Sequence, residues 1–359
     1  MNRFYLPLYK SIKHIHGLIA LACYPLFLLV TGCGSSEPTE ESDDERITPS
    51  IAVLDQVVAS SIRGLDMVND SVTWASGSNG VFMRCINGQD WEWDSIPGYT
   101  HLDFRDIEGF DEQTALVMAA GNEGLILRTE DGGESWEEVF RDEREGVFLD
   151  GMDFDGLQGY CIGDPIGEEM YIIETLDGGS SWSIPEYPEL PASILGEGSY
   201  AASGTTIIFE NDIVLAAYGG DSLTRVLMKN PEGWTSVEAP MAQGAGCGIF
   251  SLAIDQETVI AVGGCYLDST SALGNIAISP DGGSTWSIPE GAPRGYRSCV
   301  AFSADGSFTL ACGRTGVDIS YDRGRTWQAL SDEGFFTMVL GEQVGWLMGR
   351  SGKLARVHW

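Results

Sequence analysis

The chain writes one short pattern four times: Thr129-Glu-Asp131-Gly-Gly133-Glu-Ser135-Trp136, Thr175-Leu-Asp177-Gly-Gly179-Ser-Ser181-Trp182, Ser279-Pro-Asp281-Gly-Gly283-Ser-Thr285-Trp286 and Ser320-Tyr-Asp322-Arg-Gly324-Arg-Thr326-Trp327. Each copy is a hydroxyl, an Asp two positions on, a Gly two further, then Ser or Thr before Trp, the pattern called an Asp-box. Recurrence at roughly 40 to 50 residues restricts the chain to a repeat architecture built from one supersecondary unit.

Each box ends a longer unit. Over residues 104–140 the sequence reads as four short apolar runs separated by turn residues, which predicts four antiparallel strands. The unit recurs at 148–184, 246–288 and 296–330, with weaker copies at 62–94 and 199–237. Units of four antiparallel strands in series are the blades of a propeller. Six units carry a Trp landmark, at Trp91, Trp136, Trp182, Trp234, Trp286 and Trp327. The C-terminal runs 335–340, 344–349 and 353–358 supply three further strands, and Ile51–Val58 supplies a spare one. The expectation is an all-β, seven-bladed β-propeller over residues 51–359, its N-terminal strand closing the last blade so that no edge is left exposed. Six blades with a dangling hairpin is the alternative.

The chemistry of the box is mechanical. Its Gly supplies positive φ, its Asp accepts backbone N–H groups in an Asx-like turn, and its Trp packs between sheets. That assigns Asp131, Trp136, Asp177, Trp182, Asp281, Trp286, Asp322 and Trp327 a structural role, on turns between third and fourth strands and away from the central channel.

The front of the chain is an address. Arg3, Lys10 and Lys13 precede an apolar stretch over 17–30 that ends in Val30-Thr31-Gly32-Cys33. This reads as a secretory signal, too short for a spanning helix, and its end resembles a bacterial lipobox. The reading gives a signal peptide at 1–32, lipid on Cys33, and a flexible acidic tether at 33–50. Export and lipid anchoring to the cell envelope follow, in the outer membrane because Gly34 is not the Asp that resembles an inner-membrane retention signal. A formal net charge of −33 repels phosphate backbones and anionic headgroups. Nucleic acid is therefore excluded as a partner, the lipid anchor is the only membrane contact expected, and a monomer is expected.

Outside the leader and Cys33 six cysteines remain. The Asp305-Gly306 pair predicts a type I′ hairpin in blade six, which sets Cys299 opposite Cys312 at a non-hydrogen-bonded site. A three-residue turn centred on Gln256 sets Cys247 opposite Cys265 in blade five. In an oxidising compartment both pairs are expected as disulfides, Cys299–Cys312 and Cys247–Cys265, with Cys85 and Cys161 free. No CxxC pair occurs and four His build no site, so neither a metal nor a cofactor is expected.

Function belongs where first strands of the blades line the channel. The charged residues there are Arg63, Arg105 and Arg297 with Asp106 and Asp150, a set suited to a carboxylate or an acidic partner segment. The alternative is that the arginines pair with Asp106, Asp150 or Glu108 and hold blades together. Two stretches break the repeat: Gly163-Asp164-Pro165-Ile166-Gly167, and Glu197-Gly-Ser-Tyr-Ala-Ala-Ser203-Gly204-Thr205, whose small residues allow close approach at the channel wall. Arg63, Arg105, Asp150, Asp164, Glu197, Ser203 and Arg297 are the candidate ligand or partner residues, with no catalytic residue among them.

Taken with the boxes and the blade count, Phe148-Leu-Asp150-Gly151-Met-Asp-Phe154, Gly163-Asp164-Pro165 and Ala202-Ser203-Gly204-Thr205 resemble the photosystem II stability/assembly factor type of propeller, over about residues 50–359. Bacterial relatives of that family occur outside photosynthetic organisms. The resemblance implies a non-enzymatic assembly factor that binds a protein through an arginine patch. Here the partner would be an envelope protein or a small ligand. Relatives are also named oxidoreductases, but no dinucleotide-binding turn or redox pair is present. The enzymatic alternative is a glycan-binding or sialidase-like glycoside hydrolase, with Arg63, Arg105 and Arg297 as an arginine trio and Tyr200 and Glu197 nearby.

Overall fold

The computed structural model describes residues 47–56 and 58–359. The expected signal peptide, the lipidated Cys33 and most of the tether lie outside the described residues. The first strand, β1 (Ser50–Val53), stands apart from those that follow it. Blade one is β2 (Ile62–Asn69), β3 (Val72–Gly77), β4 (Val81–Cys85) and β5 (Trp91–Ser95). Blade two is β6 (Asp103–Gly109), β7 (Ala115–Ala120), β8 (Gly124–Thr129) and β9 (Glu137–Asp142). Blade three has β10 (Leu149–Asp155), β11 (Gln158–Ile166) and β12 (Glu169–Thr175). Blade four has β13 (Glu197–Gly198), β14 (Ile207–Glu210), β15 (Ile213–Gly220), β16 (Arg225–Asn230) and β17 (Gly233–Glu238). Blade five is β18 (Cys247–Asp255), β19 (Thr258–Cys265) and β20 (Ile276–Ser279). Blade six is β21 (Cys299–Phe302), β22 (Thr309–Gly313), β23 (Gly316–Ser320) and β24 (Gln328–Ser331). Blade seven is β25 (Thr337–Leu340), β26 (Gly345–Met348) and β27 (Leu354–His358).

This is the expected seven-bladed propeller, closed as expected. β1 pairs antiparallel with β27, from Ser50 opposite His358 to Val53 opposite Ala355. The closing strand is shorter than the run to Val58 suggested. Leu54 still donates to the Leu354 carbonyl (2.9 Å), and by Ile62, which bonds the Gly349 carbonyl, the chain has entered blade one. The core lies between successive blades: Trp74, Phe104, Ile107, Val117 and Leu125 fill the space between blades one and two, and Leu310, Val317, Phe335 and Leu347 that between six and seven.

Each Asp-box closes its own turn and clasps the preceding blade. Thr129 Oγ1 donates to Asp131 Oδ1 and accepts the Gly133 N–H, both at 2.9 Å, while Asp131 Oδ1 accepts the Ser135 N–H at 2.9 Å. Gly133 has φ +94°, and any side chain there would run into the Phe82 ring of blade one. Gly179, Gly283 and Gly324 of the other boxes sit in the same way on Leu116, Leu215 and Ile260. Trp136 meets Phe82 edge-to-face at 5.2 Å. The clasp thus uses backbone, carboxylate and ring together.

Blades three and five depart from the four-strand expectation. After their boxes both read Trp-Ser-Ile-Pro, at Trp182–Pro185 and Trp286–Pro289. Proline has no N–H for a ladder, so the outer strand stops after one bridge, Glu174 to Ser183 and Ile278 to Ser287.

The cysteine expectations divide. Cys247 and Cys265 face each other and are bridged. The register arises differently from the expectation: Asp255 pairs with Thr258 across a two-residue turn, and a bulge between Ile249 and Ser251 restores the cysteines' alignment. Cys299 also faces Cys312, but both are buried free thiols. Only Gly306 of the Asp305-Gly306 pair has positive φ, so the turn is not type I′. Instead Ser303 N–H bonds the Phe308 carbonyl (2.9 Å), and the ladder's alternation shifts by one. Cys299 and Cys312 then occupy a hydrogen-bonded pair, whose Cα atoms stand about 5.5 Å apart rather than about 4.5 Å. Cys247 and Cys265, by contrast, are 4.0 Å apart at Cα.

Candidate functional site

The innermost strand of blade four is broken. β13 and β14 both pair with β15, and residues 199–206 between them leave the sheet. The small residues of this segment let it cross the channel. Ser203 Oγ donates to the Ser298 carbonyl of blade six (2.7 Å), Arg63 and Arg105 donate to the Ala202 and Ala201 carbonyls (3.2 and 3.3 Å), and Thr337 of blade seven donates to the Ser203 carbonyl (3.4 Å). The channel is therefore plugged, with a separate cavity on each side.

The larger cavity, about 880 Å³, is an open vestibule. Arg63, Arg105, Arg314 and Arg350 face it, together with Phe148, Tyr200, Phe250, Tyr266, Tyr296 and Phe336. Tyr200 stacks on Phe250 at 3.9 Å, and Phe250 meets Tyr296 edge-to-face at 4.8 Å. Arg314 lies 5.6 Å from the centre of the Tyr296 ring. The Cys247–Cys265 bridge immediately precedes Tyr266 and ties that part of the rim to blade five.

Among the described residues only one of these four guanidiniums is in an ion pair, Arg105 with Asp103 at 2.8 Å. Arg63 and Arg314 bond carbonyls, of Ala202 and Tyr266. Burial, and then the neighbouring Arg105, push the Arg63 guanidinium below its ordinary range, as expected of a cation short of anionic company. The two acids of the vestibule offset little of this. Burial pushes Asp150 well above the usual carboxylate range, with Asp164 adding to the effect, and its Oδ2 has no partner. Burial also raises Asp164, against the Ser199 N–H that bonds its Oδ1 at 3.0 Å. A cationic cup with an aromatic wall can hold an anionic group that carries apolar mass.

The smaller cavity, about 190 Å³, lies across the plug and is acidic, with Asp66, Asp106, Glu108 and Asp153. Three of these are staples between blades. Asp66 accepts the Gly109 N–H (2.9 Å), Asp106 the Met152 N–H (2.7 Å) and Asp153 the Phe209 N–H (2.6 Å), each from the next blade's inner strand. Burial raises all four, Asp66 to about 6 and Asp153 to about 7.

Of the residues expected at the site, the structure brings Arg63, Arg105, Asp150 and Asp164 to one vestibule. Three expectations are corrected. Arg297 is fully buried, its Nε bonding Asp318 at 2.8 Å behind the wall. Glu197 pairs with Arg225 in the blade-four core, Nη2 to Oε2 at 2.7 Å. Ser203 is buried in the plug. The arrangement expected of a sialidase is not assembled, since Arg297 and Glu197 are engaged elsewhere and Tyr200 donates its hydroxyl to the Cys247 carbonyl (2.8 Å). The alternative in which Arg63, Arg105 and Arg297 pair with Asp106, Asp150 or Glu108 is not seen either: Arg105 pairs with Asp103 and Arg297 with Asp318. Arg314 and Arg350 were missed. The signal was a second repeat, Gly313-Arg-Thr-Gly316 and Gly349-Arg-Ser-Gly352, in turns after the second strands of blades six and seven.

Fold and vestibule define an all-β seven-bladed propeller with a blind, cationic mouth. Residues 89–206, which include blades two and three and the plug, match the family model of photosynthesis system II assembly factor YCF48. Among solved structures the chain is similar to YCF48 bound to D1 peptide (TM-score 0.61, 15% identity, covering 87% of this chain and 100% of that one). It is also similar to YCF48 from Cyanidioschyzon merolae (0.60, 16%, 86% and 99%) and to the Neurospora crassa Pan2 WD40 domain (0.59, 11%, 84% and 89%). At these identities the structural likeness concerns the fold. No curated protein matches the chain.

Proposed function

We propose that this protein is a non-catalytic interaction module, similar in action to an assembly factor, that holds an acidic or carboxylate-bearing segment of a partner protein in the vestibule. The observation that carries the reading is the group of Arg63, Arg314 and Arg350, without carboxylate partners among the described residues, beside an aromatic wall in a chain of net charge −33. Cations are scarce here, and three gathered without ion-pair partners among the described residues mark a place for an outside anion. The matched YCF48 structure holds a peptide, which supports a peptide as the class of ligand. The leader and its lipobox-like end at Cys33 support a lipid anchor on the envelope, with an envelope protein as partner.

The test is crosslinking of the full-length protein in cells, beside the triple variant Arg63→Ala, Arg314→Ala, Arg350→Ala. The variant should lose its principal crosslinked envelope partner while remaining folded. An unchanged set of partners would remove the vestibule from the function, and turnover of a fluorogenic sialoside by the native protein would overturn the non-catalytic reading. A Cys33→Ser variant should leave the membrane fraction; retention there would remove the lipid anchor.

A further inference from the structure

The outer edge of blade three is unfinished in a way that suits an added strand. β12 reaches its neighbour β11 through one alternate set of backbone groups. The other set faces outward, and of it Glu174 exchanges both bonds with Ser183 at 2.9 Å. Pro185 then ends the pairing, and the chain runs on through 184–192 until the Ser193 N–H bonds the Glu168 carbonyl at 3.0 Å. Between these two ties the outward N–H and C=O groups of Met170 and Ile172 have no strand partner among the described residues. A groove of about 670 Å³ lies along them, lined also by Ile184, Pro185, Tyr187, Arg144 and Tyr171. Met170 and Ile172 are themselves buried, so water satisfies their backbone poorly.

Charge selects the occupant. Glu168, Glu169 and Glu186 line the groove, are exposed, and form no ion pair among the described residues, while the one cation of that lining among them, Arg144, is neutralised by Asp142 at 2.6 Å. We propose that this edge docks an extended, lysine- or arginine-bearing segment of a protein partner, which adds to β12 as the missing fourth strand. Main-chain bonds to Met170 and Ile172 give affinity, and the three glutamates give specificity for basic side chains. Blade five ends in the same Trp-Ser-Ile-Pro but offers less. Its edge strand runs only Ile276–Ser279, and its returning chain is tied close by, where the Asn275 amide donates to the Pro293 and Gly295 carbonyls (2.9 and 2.6 Å). This site is separate from the vestibule.

The probe is the capped peptide acetyl-Thr-Lys-Val-Lys-Val-Lys-Thr-amide, titrated against the full chain with amide hydrogen exchange as the readout. Binding should slow exchange at Met170 and Ile172 by about tenfold or more while Ile276 is unaffected. Methylating alternate amide nitrogens of the peptide should abolish binding. The variant Glu168→Lys, Glu169→Lys, Glu186→Lys should weaken it by about tenfold or more, with a shallower salt dependence. Arg63→Ala with Arg314→Ala should leave it unchanged, which separates this site from the vestibule. No binding, equal binding of the methylated peptide, or protection at Ile276 as great as at Ile172 would overturn strand addition. Equal binding of a peptide with Glu in place of Lys would overturn the acidic selection.

Discussion

Arg63 lies over the ring of Phe336, its guanidinium carbon 4.2 Å from the ring centre, joining blade one to the last turn before blade seven. The contact replaces an ion pair. It holds the side chain in place yet leaves its charge uncompensated, and burial beside Arg105 makes that charge costly. A bound carboxylate relieves the cost. An acidic peptide that the native protein captures should therefore bind Arg63→Ala at least about tenfold more weakly, because a charge-assisted bond of about 1.5–3 kcal/mol is lost. Isothermal titration at two salt concentrations reads this, and equal affinity for both proteins would refute it.

The plug can be tested through Gly204. It has φ +79°, and a Cβ there would collide with Asp106 Oδ1, the carboxylate that staples blade two to blade three. Gly204→Ala should cost about 2–4 kcal/mol. Gly156→Ala also replaces a positive-φ glycine, but with open space around it, and should cost about 1 kcal/mol. Denaturant melts of the two variants give the comparison. Similar losses would mean that the channel segment is loosely held.

Much of the architecture could be read from residues because it is local. Asp-boxes, turn pairs and alternating apolar runs place strands at known offsets, and counting strands closes the ring. Two outcomes depended on single backbone details. The proline after each Ser-Ile pair removed an outer strand from blades three and five, and the conformation of Asp305 moved Cys299 and Cys312 into the wider kind of pair. The site was less legible. Residues of the first strands point into the channel or back into the wall depending on bulges such as the one between Phe104 and Asp106, which sequence alone does not time. Arg105 and Arg297 look alike in the chain, and only packing shows that one faces the cup and the other Asp318.

The acidic cavity predicts an unusual pH dependence. Asp66, at about 6, and Asp153, at about 7, hold a proton more tightly folded than unfolded. Their contribution is complete below the ordinary carboxylate range and is lost as pH rises through about 6 and about 7. Asp66→Asn, which keeps an acceptor for Gly109, should remove part of this loss. It should be more stable than the native chain at neutral pH by about 1–2 kcal/mol and similar near pH 4. Thermal melts across that range decide it, and a variant equally destabilised at both ends would show that the carboxylate matters only as a bonded staple.

Cysteine chemistry should follow the ladder. The folded protein should carry one bridge, Cys247–Cys265, so complete reduction should raise the intact mass of the mature domain by about 2 Da and not by about 4 Da. Replacing both residues of the bridge by Ser should cost about 2–4 kcal/mol for a loop of this size, and it should loosen the rim at Tyr266. A second bridge in the mass would mean that the facing thiols of Cys299 and Cys312 oxidise in the folded chain.

Arg297 offers the sharpest separation of scaffold from site. Its side chain has no exposed surface, nor does that of Asp318 to any useful degree, and Arg294 reaches the same carboxylate from outside, its Nε 2.7 Å from Oδ1. Removing Arg297 leaves a buried carboxylate with only that exposed partner, a loss of about 3–5 kcal/mol. Arg297→Ala should therefore unfold far earlier in denaturant while its folded fraction binds acidic peptide as tightly as the native chain. Arg314→Ala should do the reverse, because its guanidinium is exposed and lies against Tyr296 at the cup's edge. Stability and affinity measured on the same two variants must move in opposite columns; a weakened affinity in the folded Arg297 variant would return that residue to the binding site.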